Sequence, residues 1–180
     1  GGASMAQNGV ICNPNIPSEE VFTTPHALRV EGYVSSTKPL SHQGTLIDNI
    51  RVVFEKGSIT DAKASKGETV LKKVLESDEG ARRLGEVALV PNSSPISNSG
   101  LLFYNTLFDE NAACHIALGQ CYSKCFRGEK NLSASEISER GGNSSMIHID
   151  WMIGSGEIDI DGFGKNGEIV PIFRKGEWVD

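Results

Sequence analysis

Apolar runs of strand length, separated by turns of a few residues, recur along this chain and leave antiparallel pairing as the simplest way to join them. Residues 27–34 set Leu28 and Val30 against Arg29, Glu31 and Tyr33, the period of a half-buried strand. Residues 46–54 place Ile50, Val52 and Phe54 on one side, and Glu55-Lys56-Gly57-Ser58 turns the chain back toward Ile59 as a hairpin. Over residues 65–78, Val70, Leu71, Val74 and Leu75 recur at helical spacing, with Gly80 where a C-cap would fall. Residues 85–90 read as a short strand closed by Pro91, followed by a loop of Asn, Ser and Pro through Gly100. Periodicity leaves residues 110–120 open between helix and strand. A short helix is expected around residues 133–140 and a strand over residues 147–153. Residues 157–161 and 168–173 flank Asn166-Gly167, a type I′ hairpin signal. The pattern predicts an α+β fold with a mostly antiparallel, curled or barrel-like sheet and a few flanking helices.

A length of 180 residues sets a bound of one domain, large enough to form a core without disulfides or structural metals. No stretch approaches the ~18–20 apolar residues of a membrane span, so no membrane partner is expected. With 17 Lys+Arg against 23 Asp+Glu the formal net charge is −6, and the basic residues gather on no one face, which argues against nucleic acid. Small molecules, peptides or cations are the expected partners. The start, Gly1-Gly2-Ala3-Ser4-Met5, has neither a basic nor an apolar export region, which predicts a cytoplasmic protein. In that compartment Cys12, Cys114, Cys121 and Cys125 are expected as thiols, and the sequons at Asn92, Asn131 and Asn143 as coincidental. The Gly-Gly opening reads as a cloning scar or as a cut through a longer chain.

The most informative local pattern is His148-x-Asp150 on the strand over residues 147–153. Side chains two apart share a strand face, so imidazole and carboxylate project together while Ile147, Ile149 and Trp151 pack on the other side. Alone, a His-x-Asp is more often a core-edge histidine beside a surface acid. A second pattern joins Glu110 and His115; five apart, they do not share a helical face, so both act only if Glu110 sits at a turn or the segment is extended. Glu19-Glu20 lies between Pro17 and Pro25, and Glu86 is a charge inside an apolar strand, where a carboxylate must be paired or bound to a cation to stay ionised. Three or four carboxylates with two imidazoles make a hard-to-borderline ligand set suited to Zn, Mn, Co or Mg. Two divalent metal ions held close together need about this many ligands, one of them a bridging carboxylate, and activate a shared water against a polarised carbonyl. Dinuclear hydrolase is the reading this constellation supports.

Competing motifs fail. The cysteines lack the paired spacing of a zinc finger, and Asp159-x-Asp161 has Phe163 and Val170 where a calcium loop needs ligands. No dinucleotide fingerprint, Walker sequence or nucleophile elbow is present.

Six blocks resemble the thermophilic-aminopeptidase family, the AmpS/PepS-type dinuclear metallo-aminopeptidases. They are the stretch from Asn15 to Pro25, Gly85 to Pro91, Phe108 to Gly119, Tyr122-x-x-Cys125, His148-x-Asp150-x-Met152-Ile153-Gly154, and Phe173 to Trp178. The resemblance covers essentially the whole chain, in the same order and with similar spacings. It implies metal-ligand roles for Glu20, Glu86, Glu110, His115, His148 and Asp150, with Glu86 expected to bridge the two ions and His148 acting as ligand or proton carrier. Tyr122 matches an active-site tyrosine able to donate to an oxyanion. The activity implied is metal-dependent removal of N-terminal residues from peptides with a free N-terminus, by a water or hydroxide bridging two divalent ions, zinc and cobalt among them. Family members are more than twice as long, with a separate N-terminal α/β domain. The resemblance therefore implies that residues 1–180 are the C-terminal metallopeptidase domain, and it suggests a homodimer for the full-length protein. Two other readings remain open at this point: a catalytically silent metal-binding or dimerisation fragment, and a dinuclear hydrolase acting on another bond.

Overall fold

The structure, a computed structural model, describes residues 4–13, 18–128 and 132–179. The Gly1-Gly2 opening, the Asn15-Ile16-Pro17 start of the first family block and the Asn131 sequon lie outside the described residues. Short strands dominate. The chain runs through β1 (Ser4–Met5), β2 (Ile11–Cys12), β3 (Val21–Thr23), β4 (Gly32–Ser35), β5 (Leu40–His42) and β6 (Thr45–Ile47) to the hairpin of β7 (Arg51–Glu55) and β8 (Ser58–Lys63). Helix α1 (Glu68–Leu75) and a 3-10 turn at Glu79–Arg82 lead to β9 (Leu84–Leu89). Helices α2 (Pro95–Ser99) and α3 (Thr106–Asp109) continue into a second 3-10 turn, Glu110–Ala112, and then β10 (His115–Gly119). A third turn, Ser123–Cys125, and α4 (Ala134–Glu139) precede β11 (His148–Met152), β12 (Ile160–Phe163), β13 (Ile169–Arg174) and β14 (Glu177–Trp178).

Among the described residues all named strand pairs are antiparallel, in sheets of order β11-β10-β9-β3, β4-β7-β8 and β12-β13-β14 with two short ribbons. This is the α+β, antiparallel architecture expected from the sequence. The sheets are open, and none closes into a barrel.

Turn chemistry sets the hairpins. Gln43-Gly44, Lys56-Gly57 and Lys175-Gly176 each join paired strands as two-residue loops, with φ of 47 and 76, 49 and 81, and 50 and 77 degrees. Positive φ at both positions is type I′ geometry, whose twist matches that of the strands it joins. Glycine is required at 57 for a second reason, since a Cβ there would collide with the carbonyl of Ala27. Asn166-Gly167, the expected type I′ turn, closes differently. Gly164 N–H donates to Glu168 O (2.9 Å), leaving a three-residue loop in which Gly167 alone has positive φ, and the Glu168 carboxylate takes up the Asn166 N–H (3.0 Å).

Other boundaries shift for local reasons. The strand expected over residues 27–34 is confined to β4, because the N–H groups of Leu28 and Arg29 are spent on a turn, donating to His26 Nδ1 (3.2 Å) and His26 O (3.0 Å). Helix α1 ends at Leu75, and Gly80 lies in the following 3-10 turn, whose N-cap Asp78 accepts from Ala81 N (2.8 Å). The loop through Gly100 contains α2, capped by Ser94 and opened by Pro95. Helix α4 starts from a reciprocal Ser133–Glu136 capping box.

The core lies between two layers. Val52, Phe54 and Ile59 of the β7–β8 hairpin and Leu71 and Leu75 of α1 meet Leu84, Ile116, Leu118 and Trp151 from one face of the four-stranded sheet. Each such side chain contributes about 1.5–3 kcal/mol on burial, so this face is fixed by the core and the opposite face is left for polar groups.

Candidate metal centre

Strand β10 runs between β9 and β11. Ala117 is the cross-strand partner of both Glu86 and Asp150, His115 pairs with Ala88 and Met152, and Gly119 pairs with His148. Cross-strand partners share a face, so Glu86, His115, His148 and Asp150 project together, away from Ile116, Leu118 and Trp151 in the core. The shared face expected for His148 and Asp150 is therefore present. Glu110 opens the 3-10 turn before β10, which resolves the ambiguous segment as a turn followed by a strand. Glu20 reaches in from the coil that enters β3.

These six side chains converge. His115 Nε2 lies 3.2 Å from Glu20 Oε2, and His148 Nε2 lies 3.2 Å from Glu86 Oε2 and 3.3 Å from Asp150 Oδ1. Three overlapping triads, Glu20–Glu86–His115, Glu86–His148–Asp150 and Glu110–His115–Asp150, each bring their ligand atoms within 4.8 Å of one another. Glu86, His115 and Asp150 each belong to two triads, so the groups form one cluster.

Both imidazoles are oriented from behind. His115 Nδ1 sits 3.1 Å from Ala113 O and His148 Nδ1 sits 2.7 Å from Gln120 O. A carbonyl only accepts, so each Nδ1 carries a hydrogen and each Nε2 faces the acids, the arrangement by which a backbone acceptor presents a histidine to a metal. His148 Nε2 is buried and, although close to two carboxylate oxygens, is aligned for a hydrogen bond with neither.

Burial and crowding displace the acid–base equilibria. Glu86 is 3% exposed and Glu110 and Asp150 are 8% exposed, so their charges are poorly solvated. Glu110 is pushed up to about 7, first by burial and then by the negative charges of Asp150, Glu20 and Glu86, with His115 opposing. Burial disfavours charge on His148, but Asp150 and Glu86 outweigh it and raise the imidazole to about 10. His115 moves in the same direction: burial opposes its charge, and Glu20 and Asp150 overcome that opposition. The donor set of four carboxylates and two Nε2 atoms fits hard or borderline divalent cations, and carboxylates this buried need positive charge beside them.

Tyr122 stands at the rim, its ring centroid 4.8 Å from that of His148 and 5.4 Å from that of Phe22. Burial, and then the charges of Glu86, Asp150, Glu110 and Glu20, hold its hydroxyl firmly protonated. Lys124 Nζ lies 5.5 Å from the centroids of both the Phe22 and Tyr122 rings.

Sequence reasoning missed the residues that make room. Ala117, fully buried, puts only a methyl between Glu86 and Asp150, and nothing in the apolar run Ile116-Ala117-Leu118 marks it. Gly119 has φ of 99 degrees, and a Cβ there would strike the carbonyl of Ile147 just before His148. The Gln120 carbonyl that orients His148 is a backbone group and carries no side-chain signal.

A face of clustered acids and histidines on an antiparallel α+β scaffold is the kind of site a metallopeptidase uses. The family described as Thermophilic metalloprotease (M29) matches residues 1–178, and the chain belongs to that family. It is 54% identical to Aminopeptidase T of Thermus aquaticus over 179 residues, which make up 99% of this chain and 43% of that protein. Aminopeptidase AmpS of Bacillus subtilis (strain 168) is 51% identical over 179 residues, or 99% of this chain and 44% of that one. The fold matches wild-type AmpT from Thermus thermophilus with a TM-score of 0.88 at 52% identity, covering 100% of this chain and 44% of the other. The chain therefore spans less than half the length of these relatives.

Proposed function

We propose that these residues form the metal-dependent catalytic part of an aminopeptidase, which removes N-terminal residues from peptides. The observation that carries this reading is the overlap of three ligand triads on Glu86, His115 and Asp150. The four carboxylates Glu20, Glu86, Glu110 and Asp150 sum to −4 when ionised, and two divalent cations carry +4, so a pair of ions neutralises the cluster that burial otherwise penalises. Glu86 and Asp150 are the carboxylates that two triads share, and of the two the family resemblance favours Glu86 as the bridge. The names of the relatives, Aminopeptidase T and Aminopeptidase AmpS, favour a peptide bond over the other bonds that such a ligand set can serve.

When bound, the ions supply the Lewis acidity that activates a water and polarises the scissile carbonyl. The chain's own groups do the rest. The family resemblance implies that a free α-amine on the substrate serves as an anchor, which a blocked N-terminus lacks. Tyr122, kept protonated, offers its O–H to the oxyanion of the tetrahedral intermediate. His148 has spent Nδ1 on the Gln120 carbonyl and has only Nε2 for either ligation or proton transfer. A carboxylate of the cluster that the ions leave free, or Tyr122, would carry the protons.

The test is Glu86→Gln in the full-length protein. We expect the variant to keep its fold by circular dichroism, to lose bound metal by elemental analysis, and to lose hydrolysis of aminoacyl chromogenic substrates. Unchanged metal content and turnover would sink the assignment. N-acetylated versions of the same substrates are expected to resist the wild-type enzyme.

A further inference from the structure

Of the six clustered residues, Glu20 alone comes from a segment without regular secondary structure. It sits just before β3, the edge strand of the four-stranded sheet, so its side chain is not itself placed by the ladder. The Asn111 side chain reaches the backbone of this segment from across the chain. The N–H of Glu19 donates to Asn111 Oδ1 at 2.9 Å.

Asn111 is built for that contact. It is fully buried, and its Nδ2 donates to Leu107 O at 3.1 Å, so its two ends are not interchangeable. Its own carbonyl accepts from the hydroxyl of Ser94 (2.8 Å), itself 2% exposed, and that Ser94 oxygen also accepts from Ser97 N (3.1 Å) at the start of α2. A buried carboxamide makes its hydrogen bonds or pays for their loss, and here the acceptor end is spent on the residue next to Glu20.

We propose that Asn111 is a positioning residue for the metal centre: its carboxamide holds the Glu19-Glu20 backbone so that the Glu20 carboxylate stays against His115 within the Glu20–Glu86–His115 triad. The inference rests on the reading of Glu20 as a ligand. Asn111 touches neither ion nor substrate. It acts by restricting where Glu20 can be, as partners behind a metal ligand do.

The experiment is a double-mutant cycle on zinc affinity in the full-length, chelator-stripped protein, comparing wild type, Asn111→Ala, Glu20→Gln and the double variant. Removing a residue that orients a ligand typically weakens metal binding about 10–100-fold, and this loss is expected at one zinc site in Asn111→Ala. In the Glu20→Gln background the same substitution is expected to add no further loss. Additive losses would overturn the positioning role while leaving Glu20 as a ligand. If Glu20→Gln alone leaves zinc affinity unchanged, the ligand reading falls and this inference with it. Should Asn111→Ala fail to fold, Asn111→Asp, its buried carboxyl protonated, keeps the acceptor for the Glu19 N–H and offers an O–H to Leu107 O. It is expected to retain zinc at wild-type stoichiometry, and loss of an ion from it would equally overturn the proposal.

Discussion

Glu86 and Asp150 stand on strands that do not pair with each other, yet both are the cross-strand partner of one residue, Ala117. The space between the two carboxylates is therefore set by the smallest side chain that has a Cβ. Ala117→Val puts two more methyls into a fully buried position. Overpacking of this kind costs about 1–3 kcal/mol, and the more telling result is expected in metal content, which should fall by at least one ion while far-ultraviolet circular dichroism is preserved. Elemental analysis and thermal unfolding on the same sample check both.

Tyr122 is expected to separate binding from turnover. Its ring is tilted against that of His148, with the centroids 4.8 Å apart, at the edge of the cluster. Tyr122→Phe should keep metal content and KM close to wild type while kcat drops about 100–1000-fold, the range seen when one oxyanion donor is removed. An unchanged kcat would assign the proton donation to another group.

Chelation should lower stability as well as activity. An ion that binds only the folded chain contributes about 2.7 kcal/mol when free metal is a hundredfold above its Kd, and about 2–4 °C of Tm accompanies each kcal/mol in a domain of this size. Stripping the metals is thus expected to lower Tm by roughly 5–10 °C per ion, with recovery on adding zinc. Calorimetry with and without chelator reads the difference.

Asp78 gives a pH-dependent signal away from the metal centre. Its carboxylate accepts from Met146 N (2.6 Å), Ser145 Oγ (2.8 and 3.0 Å) and Ala81 N (2.8 Å), tying the 3-10 turn to the chain that enters β11. The Met146 contact leads in lowering its pKa below the ordinary 3.8; burial opposes, and Ser145, Ala81 and Gly80 add to the lowering. A carboxylate with a depressed folded-state pKa stabilises above its unfolded value and loses that contribution as pH falls through the folded one. Asp78→Asn is therefore expected to cost about 1 kcal/mol near pH 7, with the gap to wild type closing below about pH 4. Urea titrations across that range would show it.

The parts of this molecule that were legible in its sequence are those governed by local periodicity. His148 and Asp150 share a face because a strand has period two, Val52 and Phe54 face inward for the same reason, and Ser133 announces α4. Glu86 stands out in the sequence as a charge among apolar residues, and in the fold it is buried. What could not be read depends on pairings distant in sequence. The meeting of Glu20 with His115 requires β3 to lie beside β9 and β9 beside β10, and no spacing encodes that order. The one turn type read from the sequence, at Asn166-Gly167, differs because Glu168 captures the Asn166 N–H and opens the turn, whereas Lys56-Gly57 and Lys175-Gly176 adopt the primed geometry without an asparagine. Gly80 looked like a helix stop, but Asp78 had already started another turn.

Because alternate residues of β9, β10 and β11 serve the core and the metal face, the two faces cannot be edited independently. A slip of one residue in the β10–β11 pairing would drive His148 and Asp150 in among Leu71 and Leu75 and turn Trp151 toward solvent. A misaligned sheet must then bury the charge of these acids, which penalises the wrong register. Strand pairing alone thus fixes where Glu86, His115, His148 and Asp150 stand relative to one another.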